Sequence, residues 1–384
     1  MKIIYFTTAQ DENDYRSFMS QWKIALNPSN QNFHNKLIRS LAIDNQVEVI
    51  SVRPFSRKNM HVKKLENNKK KDGNITWHYV KRSGLKITRT ISLLPEVKKI
   101  IKKIDLKDAI IITDTINPSV LRTANKINQK SKCPIIGICT DSPSNISGTS
   151  KSYTKYLLSH SDNFDGYISL TEGLNNLFNP NQKPSIIVEG LVENREEKSE
   201  QNNEKPYFFF GGALMVKYGV YNLIKAFKRL HDDNIELLIC GHHGDKNKIR
   251  DEIGKNTNVK FLGLIPVKEV LQYENNCIST INPRPFSEDL DRYSIPSKTL
   301  EYMSSGKPVI SVRNSILMSK FPEEIIWIDS SEVADIEKGL KKVLAMSEQE
   351  RELFGFNAKN RVLELYSLKS VSININKFLK QFLS

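Results

Sequence analysis

In "SIPSKTLEYMSSGKPVI", Ser294 to Ile310, a lysine stands where a helix should begin. Pro296 precedes Ser297 and Lys298, a helix-forming run follows, and Gly306 ends it. The helix macrodipole disfavours a positive charge in the first turn. A bound anion would reverse that preference. The N–H groups of a helix start and one ammonium could together hold a diphosphate. On that reading Ser297 is the cap, Thr299 sits beside it and Lys298 adds the full charge. The competing reading is a solvated surface lysine. Glu301 lies one turn further along, on the face of Lys298. A carboxylate there can accept two ribose hydroxyls, or it is an ordinary helix glutamate paired with a neighbour.

Other groups of the same kind recur at the ends of apolar runs. Gly211 and Gly212 follow "YFFF", and Gly241 and His242 follow "ELLIC". Glycines let a ligand approach the backbone closely. His242 and His243 are adjacent in a loop, a spacing that does not easily converge on one metal ion. A turn with polar side chains is the simpler reading, with His242 as a ligand contact. No metal site is expected.

These residues need elements to position them. "KIIYFTT", "VEVISV", "NITWHYV", "AIIIT", "PIIGIC", "GYISL" and "SIIVEG" read as short strands. They are β-branched and apolar on both faces, as parallel strands under helices are. Helical patterns alternate with them. One opens near Asn32, and another has Asn117 as cap and Pro118 at its first position. A second series runs through "KPYFFFGGAL", "IELLICG", "VKFLGL", "CISTINP" and "KPVISV". The polar stretch "VENREEKSEQNNEKP" between the series reads as a linker. The expectation is α/β, with two doubly wound Rossmann-like domains. Residues 1–190 form the first, 191–206 the linker, 207–366 the second, and 367–384 a terminal helix. Leu368, Val371, Phe378, Leu379 and Phe382 give that helix an apolar face. It either packs back on the first domain or lies on a membrane.

The chain has 384 residues, 39% hydrophobic and 26% charged, enough for sizeable cores. Its formal charge of +14 predicts attraction to anions, or it reflects a Lys-, Asn- and Ile-rich composition. No zinc finger, aromatic RNA-binding run or basic helix supports nucleic acid as the partner. "SRKNMHVKKLENNKKKDG", Ser56 to Gly73, reads as a basic loop, either solvated or anion-binding. The cysteines Cys133, Cys139, Cys240 and Cys277 lie in or beside apolar runs without a CxxC, which fits reduced thiols in the cytoplasm. The N-terminus lacks a signal-peptide pattern, and no apolar run is long enough to span a membrane.

"KPYFFFGGALMVKYGVYNLIKAF", "ELLICGHHGD", "VKFLGLIP" and "INPRPFSEDLDRYSIPSKTLEYMSSGKPVIS" occur in an order and spacing that resembles a known family. They look like the nucleotide-sugar half of a GT-B glycosyltransferase of family 4, in its bacterial capsular and exopolysaccharide branch. The resemblance covers most of Tyr207–Val312, and the first half is similar in pattern only. It implies a GT-B fold with two domains facing a cleft. It also implies retaining, metal-independent transfer from a nucleoside diphosphate sugar, of UDP or GDP type, without a separate cofactor. The acceptor implied is a glycan carried on a lipid diphosphate such as undecaprenyl diphosphate. The enzyme would then be peripheral on the anionic inner face of the plasma membrane.

Under this resemblance Lys298 and Glu301 are catalytic and donor-binding, and Asp141 is a candidate catalytic residue and acceptor contact. Asp141 is equally readable as a helix cap before Ser142 and Pro143. Asn30 and His34, in "NPSNQNFHNKLIRSL", join it on the acceptor side. The sequence departs from the family at two points. The first of two family glutamates falls on Tyr293, and Ala213 stands at the position of a phosphate-binding arginine. Lys217 and Arg284 are the candidate replacements. "DLD", Asp289 to Asp291, matches a metal motif of the other major glycosyltransferase fold but reads better here as a solvated acidic loop. The missing groups also suit a non-catalytic nucleotide- or glycan-binding protein, which would bind donor without turnover.

Overall fold

The computed structural model describes residues 1–22, 28–53, 69–81, 93–146, 150–162, 164–195, 205–242 and 244–383. The chain divides into two units. One holds Met1–Leu191, Arg292–Ser294 and Leu368–Ser384; the other holds Val192–Asp291 and Ile295–Ser367.

The first unit is built on β1 (Lys2–Thr7), β2 (Gln46–Arg53), β3 (Lys69–Asp72), β4 (Ile75–Lys81), β5 (Ala109–Asp114), β6 (Ile135–Cys139), β7 (Gly166–Ser169) and β8 (Ser185–Ile187). Their order is β3-β4-β2-β1-β5-β6-β7-β8. Every pairing is parallel except that of β3 with β4. The apolar runs predict this well, because both faces of the sheet are covered. In β1, Ile4 and Phe6 join one buried cluster while Ile3 and Tyr5 join the other. The helix Leu368–Lys380 adds Val371, Ile375, Phe378 and Leu379 to the second cluster. Its apolar face is therefore covered by this unit, which leaves little of it for a membrane. Among the described residues no helix is long and apolar enough to cross a membrane.

Two local expectations change. The helix expected near Asn32 begins at Pro28 and runs to Leu41. Proline suits a first helical position, where its missing N–H would have no partner anyway. Of the basic loop, residues 56–68 lie outside the described residues, but Lys69–Asp72 form the edge strand β3. Lysines blunt such an edge against pairing with another chain. Lys70 is also ion-paired with Asp11.

The second unit holds β9 (Tyr207–Ala213), β10 (Glu236–His242), β11 (Val259–Gly263), β12 (Ser279–Asn282), β13 (Val309–Val312) and β14 (Ile326–Ile328). All pairings are parallel, in the order β11-β10-β9-β12-β13-β14. In both sheets the strand order reverses at one point, between β1 and β5 and between β9 and β12. Open α/β sheets bind ligands beyond the carboxyl ends of their strands at such a switch.

Candidate active site

At the switch point of the second sheet, β9 ends in Gly211-Gly212-Ala213 and β12 leads into "PRPFSEDLD". The helix Ser297–Met303 packs against β12 and β13. It is only seven residues long, so tertiary ties must hold it. The wholly buried Thr299 provides one. Its hydroxyl accepts from Asn282 Nδ2 at 2.8 Å and lies 3.3 Å from Ser311 Oγ. Tyr302 provides another. Its buried hydroxyl accepts from Gly211 N–H at 2.9 Å and donates to Gly211 O at 3.1 Å.

The start of this helix differs from expectation. Ser297 is the first helical residue, and the cap position belongs to Pro296, which offers no side-chain bond. Pro296 has φ −72° and ψ 71°, close to an inverse γ-turn, and Ser297 N–H donates to Ile295 O at 2.8 Å. Thr299 N–H donates to Pro296 O at 2.9 Å. These N–H groups are already engaged, and Thr299 turns its side chain to the sheet. The positive charge offered here is therefore the side chain of Lys298. Its Nζ lies 5.3 Å from the centre of the Tyr302 ring. It is also near enough to Cys240 to oppose the rise, to about 12, that burial imposes on that thiol. Glu301 is half-buried on the same helix.

The other cations are placed differently. Lys217 is exposed in the short 3-10 turn Val216–Tyr218 that follows β9. Arg284 does not offer a free charge, because its Nη2 lies 3.0 Å from Asp291 Oδ1 with both side chains largely buried. Asp291 also accepts the Ser287 N–H at 3.0 Å. Half of the "DLD" motif is thereby committed to its own loop. Among the described residues no group of three or more His, Cys, Asp or Glu could hold a metal ion. Tyr293 belongs to the first unit and packs on that unit's buried cluster, where Thr171 Oγ1 donates to the adjoining Arg292 O at 2.8 Å.

One glycine at the strand tips has a structural task of its own. Gly241 pairs with Gly212 across β10 and β9. Its φ is 149°, and a Cβ there would sit 1.7 Å from Gly212 O. Gly241 is required by the neighbouring strand whether or not a ligand comes near. At Gly211 and Gly212 a Cβ would meet chiefly the Phe209 and Phe210 rings and the Cys240 sulfur, none closer than 3.1 Å. His242 ends β10, and His243 lies outside the described residues.

Near the switch point of the first sheet, Asn30 and His34 lie on the helix Pro28–Leu41, between β1 and β2 in the chain. Asn30 Nδ2 is 3.5 Å from Thr8 Oγ1. His34 is wholly buried, 2.7 Å from Tyr5 Oη through Nδ1 and 3.9 Å from Asp114 Oδ2 through Nε2. It is not open to the acceptor contact expected of it, because the helix encloses it against Tyr5 of β1 and Asp114 of β5. Asp141 stands half-buried after β6 in a turn and not at a helix start; Ser150 caps the following helix. Desolvation raises the Asp141 carboxyl above its usual range, opposed by a hydrogen bond from the Ser142 backbone. Residues 23–27 and 147–149, close in sequence to these acceptor candidates, lie outside the described residues.

Asp114 was not singled out by sequence, because it ends an ordinary apolar strand. It accepts from Ile116 N–H at 2.9 Å, while Oδ2 has no hydrogen-bond partner. Burial pushes this carboxyl up and the His34 imidazole down, so both favour neutral forms. A carboxyl raised on folding binds its proton more tightly in the folded state. Its stabilising contribution is present below the unfolded value of about 4 and is lost as pH rises through the folded value. Asp114→Asn is expected to raise Tm at pH 8, with the gain shrinking toward pH 4. Thermal melts across that range check it, and a difference independent of pH would contradict it.

Arg195 was also missed, lying in what reads as a polar linker. Its Nη1 is 2.5 Å from Glu274 Oε2, and Nη2 donates to Glu301 O at 2.8 Å.

Residues 192–361 match the family model described as glycosyl transferases group 1. The chain has the GT-B fold. A sucrose-phosphate synthase from Thermosynechococcus elongatus superposes with a TM-score of 0.68 at 12% identity, covering 99% of each chain. Anabaena HepE in complex with UDP-glucose gives 0.65 at 13%, covering 99% of this chain and 100% of the other. The E. coli trehalose-6-phosphate protein bound with UDP-2-fluoro glucose gives 0.68 at 11%, covering 99% of each. At such identities the likeness speaks for the fold, and the family match lies within residues 192–361. No curated protein matches the sequence.

Proposed function

We propose that this chain is a glycosyltransferase, moving a sugar from a nucleoside diphosphate sugar, of UDP type, to a hydroxyl of a lipid-linked glycan in surface polysaccharide synthesis. The observation that carries the donor assignment is the pairing of Lys298 and Glu301 on one helix at the β9–β12 switch point. HepE, of similar fold, was solved with UDP-glucose, which favours uridine over guanosine. Lys298 neutralises charge on the departing diphosphate, with Lys217 as the second cation. A positioned cation is worth more there than in water. Glu301 accepts the ribose hydroxyls. The sugar carbon becomes oxocarbenium-like as its bond to the diphosphate breaks, and the family resemblance supports retention of configuration. The first unit takes the acceptor, with Asp141 and Asn30 as contacts. Asp141, with its raised carboxyl, is suited to share a proton with the acceptor hydroxyl.

The net charge of +14 supports attraction to an anionic membrane carrying the acceptor. Of the lysines in the basic loop Ser56–Gly73, Lys63 and Lys64 lie outside the described residues and Lys70 pairs with Asp11. Lys69 and Lys71 stay exposed on the edge strand.

The test is transfer from labelled UDP- and GDP-sugars to lipid-diphosphate-linked acceptors in anionic vesicles, with salt and EDTA varied. Transfer from a UDP-sugar that survives EDTA and falls with salt is the expected outcome. Loss with EDTA and rescue by manganese would overturn the metal-free assignment of the leaving-group charge. Binding of UDP without transfer to any acceptor would favour a non-catalytic protein.

A further inference from the structure

We propose that Arg195 is a positioning residue for the donor helix Ser297–Met303, capping its C-terminal end so that Lys298 and Glu301 stay aimed at the nucleotide. The inference rests on the donor-site reading above. The last carbonyls of a helix lack partners within it, and a helix C-terminus favours positive charge. Glu301 O is such a carbonyl, and it receives both Arg195 Nη2 at 2.8 Å and Ser304 Oγ at 2.7 Å. The guanidinium thus offsets, at one end, the lysine that the dipole disfavours at the other.

The arrangement is fixed from several directions. The other arm of the guanidinium meets Glu274, whose side chain is only 3% exposed. Lys359 Nζ donates to Arg195 O at 3.2 Å. Three residues earlier, Val192 N–H donates to Tyr366 O at 2.9 Å, and Val192 is buried. The backbone that carries Arg195 is therefore tied to the helix Glu348–Tyr366. A buried ion pair is weak evidence for stability, since apolar residues of similar volume often serve as well. What this pair supplies is a planar fork, with one arm anchored on Glu274 and the other directed at the carbonyl of the glutamate that binds ribose. Lysine cannot substitute, because its single nitrogen cannot occupy both Nη positions.

Two variants separate positioning from folding. Arg195→Lys keeps a charge for Glu274. Arg195→Met with Glu274→Met removes both buried charges and so avoids stranding either one. Hydrogen exchange of the Ser297–Met303 amides and calorimetric titration with UDP are measured on the full chain. In both variants exchange in that helix is expected to quicken about tenfold, the scale of one lost hydrogen bond. Exchange in the helix Val220–Lys228 should not change, and the Kd for UDP should rise about tenfold. Unchanged exchange in the donor helix overturns the proposal, as does faster exchange with an unchanged Kd. A wild-type chain that binds no nucleotide overturns the donor-site reading instead, and exchange alone then decides whether Arg195 holds the helix.

Discussion

Lys298→Ala is expected to weaken UDP binding and to lower kcat/KM for transfer by roughly 10- to 150-fold, corresponding to about 1.5–3 kcal/mol for one charge-assisted contact. Lys298 is half-buried at the start of its helix, and its ammonium lies over the Tyr302 ring. Truncation removes that cation–π contact, worth about 0.5–1 kcal/mol at an exposed site. The fold should survive, because Thr299, Tyr302 and Arg195 still tie the helix to its surroundings. The loss must therefore appear in nucleotide affinity far more than in Tm. Titration calorimetry with UDP measures the first and a thermal melt the second. Lys298→Arg, which keeps the charge, should recover part of the affinity. Binding and turnover of the alanine variant both within twofold of wild type would remove Lys298 from the donor site. The cation facing the diphosphate would then have to be sought around Lys217.

The expected loss depends on a residue that the sequence could identify and on supports that it could not. Lys298 is conspicuous because a lysine contradicts the local dipole. Thr299 and Tyr302 lie in the same motif, yet their work depends on partners 17 and 91 residues away, Asn282 and Gly211. Arg195 is harder still. Its surroundings are charged and aperiodic, and only the path of the chain past Glu274 and Glu301 buries it. The strands were legible because parallel sheets covered on both faces demand continuous apolar runs. β3 was not, since "KKKD" has no apolar residue and is a strand only through antiparallel pairing with β4. His34 fails for the opposite reason. A polar residue on a helix reads as exposed, and only the position of that helix beneath β1 and β5 encloses it. Arg284 was assigned by its charge, and sequence gave no warning that Asp291 would take it up.

Gly241→Ala is expected to be the most damaging small substitution in the second unit. The added Cβ would lie 1.7 Å from Gly212 O, which belongs to the backbone of the paired strand β9 and cannot swing away as a side chain might. Relief requires β9 and β10 to part just where they lead into the donor site. The φ of 149° adds backbone strain for any L residue with a side chain. Overlap of this kind belongs with the mechanisms that cost more than about 4 kcal/mol, a large share of a typical domain's stability. For a unit of this size that is a fall in Tm of about 10 °C or more. Gly263→Ala is the control. Gly263 also has a positive φ, 75°, but a Cβ there meets nothing within 4 Å. It should cost only the left-handed strain, about 1–2 kcal/mol. Melting the two variants beside wild type separates collision from strain. Equal, small losses would mean that the strands yield easily at Gly241 and that its glycine serves the approach of ligand after all. A large loss at Gly241 alone would show that the two strand tips are held together too firmly to part for a single methyl group.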